Sequence, residues 1–228
     1  MGRLVHRVLG DSQGKVGELV FKIYNGKVYI TTHKGFNKIS KSPSCVKNRN
    51  RFAVSVKFSK AVNSLNNLKE VWSQSNAEGK RTYTKILRFN IGKLLDGKLS
   101  KLNSIVPAGF SVDAKDLVFS KKSLKLSLKI TDEENNYSGV HFKLNFVIAL
   151  MTNDKEVLNN AFPYLCFSVD FTADNNSNYK NITVNFNKYQ IELLSKFQKA
   201  RVFLALTNTD VDPCINSCSA SFDECSIK

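Results

Sequence analysis

The sequence predicts a mainly β chain that carries an α-helical segment in its first half, and three stretches predict it. Residues 14–32 form two β-rich runs joined by Asn25-Gly26. Between about Ser42 and Trp72 apolar residues recur every three to four positions, and from about Leu102 their period falls to two. With 42% hydrophobic and 11% aromatic residues in 228, the chain has enough apolar surface for a sizeable core, which excludes a disordered protein.

Taken in order, residues 1–13 read as an arm in which Leu4, Val5, Val8 and Leu9 fit either a short strand or one helical turn. Gly14-Lys15-Val16-Gly17 is not a phosphate-cradling loop. Such a loop needs a strand before it, a longer glycine spacing and Ser or Thr after the lysine, so the two glycines are read as backbone freedom where the arm bends. Asn25-Gly26 tolerates the two positive φ values of a type I′ turn. A two-residue turn sets Tyr24 opposite Lys27, Ile23 opposite Val28 and Phe21 opposite Ile30, leaving Lys22 and Tyr29 on the other face. The hairpin's exposed edge is expected to suit strand addition by a neighbour.

A basic loop from His33 to Lys41 leads to Ser42-Pro43, a cap followed by the residue best suited to a first helical position. One long helix is predicted from about residue 43 to 74, with Val54, Phe58, Ala61, Leu65, Leu68 and Trp72 as a single apolar stripe that needs cover. Lys47, Arg49, Arg51, Lys57 and Lys60 surround its first half, where the helix dipole favours anions. A shorter helix around Thr82–Phe89 is expected to fold back, offering Tyr83, Ile86 and Leu87 or Phe89.

Strict alternation then takes over. Leu124, Leu126, Leu128 and Ile130 form one set, and Val140, Phe142, Leu144, Phe146, Ile148 and Leu150 a second. Leu165, Phe167, Val169 and Phe171 follow, then Ile182, Val184 and Phe186, then Val202, Leu204 and Leu206, with a weaker strand near Leu117–Phe119. Polar loops such as TDEENNYS and TADNNSNY separate them, and Ile191–Phe197 reads as a short helical crossing. About seven short strands, each with one buried face, predict an immunoglobulin-like antiparallel β-sandwich, without the Cys-Trp-Cys signature of true immunoglobulin domains. The expected division is a basic arm, hairpin and helical module over 1–101 and a β-sandwich domain with a Cys-containing tail over 102–228.

The formal charge of +15 is lopsided. Residues 1–101 hold 21 Lys+Arg against 5 Asp+Glu, a net of +16, whereas residues 102–228 hold 13 against 14, a net of −1. A neutral domain with a basic appendage points to an acidic partner met through the appendage. Lys22, Lys47, Arg49, Arg51, Lys57 and Lys60 are the candidate partner-binding residues. Nucleic acid is the alternative partner, although 27 Lys to 7 Arg supplies point charge for phosphates and little base reading.

No catalytic, cofactor or metal site is expected, no small-molecule substrate, and no enzymatic activity. His6, His33 and His141 lack a cysteine or carboxylate at ligand or triad spacing. Asp132, Glu133 and Glu134 form an acidic cluster in a loop. Cys214, Cys218 and Cys225 have poor zinc spacing and are expected as thiols, with one bridge open to them outside the cell. No apolar run reaches membrane-spanning length and the N-terminus lacks a signal-peptide core, so the chain is expected to be a soluble protein left in the reducing cytoplasm where it is made, with no membrane partner.

Gly10, Gly14-Lys15-Val16-Gly17, a hairpin with Gly26, an Arg51-Phe52 helix ending near Trp72 and a C-terminal sandwich together resemble an uncharacterised family of proteins from Bacteroidota bacteria and their phages. The family pattern has an arginine near the end of the second hairpin strand, where this chain has Thr31 and Thr32. The resemblance carries over no catalytic residues. It implies a non-enzymatic structural component of a phage particle, in virion assembly or decoration, docked through its basic N-terminal module. The implied partners are other virion structural proteins and further copies of the chain, and the implied location is the virion. The alternative is a nucleic-acid-binding protein that uses the same module.

Overall fold

The computed structural model describes residues 2–3, 14–32, 41–107, 112–131, 140–152, 163–172, 179–208, 217–222 and 224–228. They belong to two compact units, residues 1–46 and residues 47–228. The arm residues Leu4, Val5, Val8 and Leu9, the loop 33–40, the acidic cluster Asp132–Glu134 and Cys214 lie outside the described residues.

In the first unit β1 (Gly2–Arg3), β2 (Gly14–Val16), β3 (Leu19–Tyr24) and β4 (Lys27–Thr32) form an antiparallel sheet in the order β1-β4-β3-β2. Asn25 at φ 50 and Gly26 at φ 69 make the β3–β4 turn, and the pairs are Tyr24–Lys27, Ile23–Val28 and Phe21–Ile30, as a two-residue turn dictates. Gly17, at φ 59, starts a second tight turn that lays β2 against β3, so the Gly-Lys-Val-Gly segment is a strand and turn rather than a bend. Both hairpin strands are therefore flanked, by β1 at Tyr29–Ile30 and by β2 at Leu19–Phe21. The expected open edge is reduced to what those short strands leave.

α1 (Pro43–Asn63), which belongs to the second unit from Lys47 on, starts where Ser42 and Pro43 place it, with the Cys45 N–H donating to Ser42 Oγ at 3.4 Å. It does not run to residue 74. The Ala61 carbonyl, which the Leu65 N–H would use in a continuing helix, accepts instead from the Ser64 N–H at 3.3 Å and Ser64 Oγ at 2.7 Å. Leu65 turns extended, at φ −89 and ψ 116, and α2 (Asn66–Gln74) begins afresh. The apolar stripe survives the break: Phe58, Ala61, Leu68 and Trp72 are fully buried and Val54 and Leu65 partly so. α3 (Thr82–Ile91) folds back with Ile86 buried, and Phe89 meets Trp72 edge to face at 5.2 Å. Trp72 Nε1 donates to the Ile105 carbonyl at 2.7 Å.

The remaining elements are β5 (Val112–Phe119), β6 (Ser123–Ile130), β7 (His141–Met151), β8 (Tyr164–Thr172), β9 (Lys180–Asn185), α4 (Lys188–Leu194), β10 (Lys199–Asn208), β11 (Ser217–Ser221) and β12 (Cys225–Ser226). One antiparallel sheet has the order β5-β6-β9 and the other β11-β10-β7-β8, with β12 also paired to β10. Leu124, Leu126 and Leu128 share one core with Leu144, Phe146, Ile148, Val202 and Leu204. β5 is interrupted: its register slips between Lys115 and Val118, with Asp116 at φ 54.

The opposite face of the larger sheet is buried too. Val147, Ala149, Tyr164, Phe203 and Ala205 form a second core with the α1–α3 stripe. The boundary between the compact units falls at 46/47, and within the second unit the helical stripe finds its cover on the far face of β7, β8 and β10. The run Phe146-Val147-Ile148-Ala149-Leu150 is continuously apolar for the same reason: it is buried on both sides. No described helix is long and apolar enough to cross a membrane.

Candidate docking surface

The six candidate residues are divided between the two units. Lys22 is exposed on β3 in the first unit, and the other five lie on α1 in the second. Lys47 stands 3.8 Å from Asp96 Oδ1, a pair exposed on both sides and worth little. Arg51 is half-buried and donates from Nη2 to the Ile91 carbonyl at 3.3 Å, at the C-terminal end of α3 where the dipole favours a cation. It works inside the unit. Arg49 and Lys60 are exposed, and eleven residues of helix bring them to within about 20° of each other around the axis. Lys57, one turn before Lys60, is also exposed, and neither lysine has a carboxylate partner among the described residues.

With α1 ending at Asn63, Lys57 and Lys60 occupy its last two turns, where positive charge is favourable, and Lys47, at the start of the second turn, is the cation nearest the positive end of the dipole. Residues 47–101 hold 13 Lys+Arg against 3 Asp+Glu, a net of +10. Of those acids, Asp96 faces Lys47 and Glu78 faces Arg88. This +10 is therefore borne by a helical layer that shares a core with the larger sheet, in a stretch, residues 102–228, whose net charge is −1. The apolar stripe gives no sign of the cations around the α2–α3 connection. Lys80 and Arg81 are exposed there, and Lys85 Nζ donates to the Ser73 carbonyl at 2.9 Å at the end of α2.

Reactive chemistry is sparse among the described residues, where no group of three His, Cys, Asp or Glu is placed to hold a metal. His141 is exposed, with Nδ1 3.2 Å from Thr172 Oγ1. Burial pushes the Cys166 thiol up to about 11 and also raises that of Cys225, which keeps both from serving as thiolate nucleophiles. One surface cluster was not visible in the sequence. Tyr179 donates to Asp113 Oδ2, Lys115 Nζ lies 2.9 Å from the same oxygen, and Lys115 also bonds Tyr179. The Tyr179 hydrogen bond and the Lys115 ammonium hold the Asp113 carboxyl below its ordinary value, and bonds to Tyr179 and Asp113 raise Lys115. These groups are 66 and 64 residues apart in sequence from Tyr179, so only the strand order joins them.

No protein-family model and no curated protein matches the chain. Among solved structures, a β-glucosidase from Kluyveromyces marxianus in complex with glucose is similar over 51% of this chain and 14% of that one, with 12% identity and a TM-score of 0.22. The chain thus spans about a seventh of that protein, and the likeness carries no argument about fold or activity.

Proposed function

We propose that the chain is a non-enzymatic structural component of a phage particle, of the Bacteroidota and phage family it resembles, that docks through its basic N-terminal part and presents its sheets outward. The supporting observation is the charge division: a +10 helical layer over residues 47–101 against −1 over residues 102–228. Such a field draws an acidic partner from a distance and sets the side on which it arrives. We read the paired sheets as an immunoglobulin-like sandwich, on the strength of the strand orders β5-β6-β9 and β11-β10-β7-β8 around one core. That architecture suits a presented domain. The partners are other virion structural proteins and further copies of the chain.

The test is co-assembly of purified full-length protein with its particle. A triple charge reversal at Arg49, Lys57 and Lys60 is expected to weaken incorporation, and raised salt to weaken it in the unaltered chain. Incorporation unchanged by both would place docking elsewhere. Arg51 is left out because its replacement would disturb α3.

A further inference from the structure

We infer that one face of the β1–β4 sheet binds single-stranded nucleic acid, its lysines on phosphates and Tyr24 and Tyr29 stacked on bases. Side chains alternate along a strand, and directly opposed residues of an antiparallel pair project to the same side. The pairs Lys15–Val20, Lys22–Tyr29 and Tyr24–Lys27 therefore gather three lysines and two tyrosines on one face. The other face carries Phe21 and Val28, both buried, with Ile23 and Ile30. The apolar face is covered only in part, since Val16, Leu19 and Ile23 on it are exposed, whereas the lysine–tyrosine face is open along its length. Tyr24 is 68% exposed, Lys15, Lys22 and Lys27 are exposed, and Tyr29 is half-exposed.

Three features favour a nucleic-acid strand over an acidic protein. Strands β2, β3 and β4 contain no Asp or Glu, and Lys15, Lys22 and Lys27 have no carboxylate partner among the described residues. The cations are interleaved with exposed rings: Tyr24 stands across from Lys27, and Tyr29 across from Lys22. Same-face neighbours along a strand lie about 7 Å apart, close to the phosphate spacing of an extended single strand. Base stacking on rings set in a sheet is tolerant of sequence, which agrees with the scarcity of arginine for base reading. A duplex offers no free base faces to such rings, so the single strand is the fitting form.

The inference deepens the docking reading at one of its residues, Lys22, by naming a partner for that face. It is tested on purified full-length protein without the particle, so either can fail while the other stands. Fluorescence anisotropy with labelled oligothymidylate is the measurement. With three lysines on phosphates, log Kobs should fall with log salt at a slope of about −2. Tyr24→Ala should weaken binding about tenfold, while Tyr24→Phe, which keeps the ring, should bind as the unaltered chain does. Lys22→Glu with Lys27→Glu should weaken binding and flatten the slope. The same reversal at Lys121 and Lys125, exposed on the second unit, should change neither. Indifference to Tyr24→Ala, preference for duplex over single strand, or displacement by polyglutamate as readily as by unlabelled oligothymidylate would each overturn the inference.

Discussion

Ser55 and Ser59 bury their hydroxyls on α1 without a hydrogen-bond partner among the described residues. A buried unsatisfied hydroxyl costs about 1–3 kcal/mol, so Ser59→Ala is expected to raise stability by about 1 kcal/mol, read as a higher urea midpoint at unchanged m-value. Trp72→Ala should act oppositely. It empties the centre of the second core and orphans the Ile105 carbonyl, and should lower stability by about 3–5 kcal/mol in the same assay. At the surface, the Asp113–Tyr179 bond is strongest while Asp113 is ionised. Because the folded value lies below the ordinary 3.8, the bond should persist through neutral and mildly acid pH and open as pH falls through that lowered value. The Tyr179 ring resonances should therefore show an acid titration whose midpoint lies below 3.8, and Asp113→Asn should remove it. Single residues that carry backbone instructions were legible in the sequence: Asn25-Gly26 sets a register, and Ser42-Pro43 starts a helix. Residues that act by meeting a distant strand, such as Asp113 and Tyr179, were not, since nothing in their neighbourhoods names the partner.

Among the elements, α4 is the one whose start is most fully specified. Asn187 Oδ1 accepts from the Gln190 N–H at 2.9 Å and Gln190 Oε1 accepts from the Asn187 N–H at 2.9 Å, a reciprocal cap. Asn187→Ala should cost about 1 kcal/mol, measured by denaturation, with faster amide exchange confined to the first turn of α4. The α1–α2 break shows why periodicity alone misplaces an end. A stripe reports which side of a helix is buried, and Phe58, Leu68 and Trp72 keep that side across the break. Whether the helix is continuous depended on one carbonyl, that of Ala61, and on the Ser64 hydroxyl that takes it. β11 and β12 escaped notice for a different reason: they are short and polar, and they exist because β10 offers them a partner.

For the whole molecule, the division of the chain decides which truncation folds. A protein beginning near residue 102 would leave Val147, Ala149, Phe203 and Ala205 uncovered, and is expected to aggregate or lose cooperative unfolding. One beginning near residue 41 keeps α1 and both cores, and should unfold cooperatively with the far-UV signal of the sheets retained; static light scattering and thermal denaturation separate the two cases. A change from helical to alternating pattern marks a change of element, and elements of both kinds can share a core, as α1–α3 and the larger sheet do. The continuously apolar stretch in β7 was the sign of two-sided burial, and it reads correctly only when a second cover is sought for it. The same arrangement sets a timetable for synthesis. Phe58 and Trp72 leave the ribosome about 145 and about 130 residues before Phe203 and Ala205, which complete their surroundings. At roughly 5–20 residues per second that wait is on the order of ten seconds. During it the nascent helices hold an apolar side with no sheet to receive it, so a slowly translated stretch between residues 80 and 200 should lower the yield of soluble protein, and trigger-type chaperones that hold apolar segments at the exit should restore it.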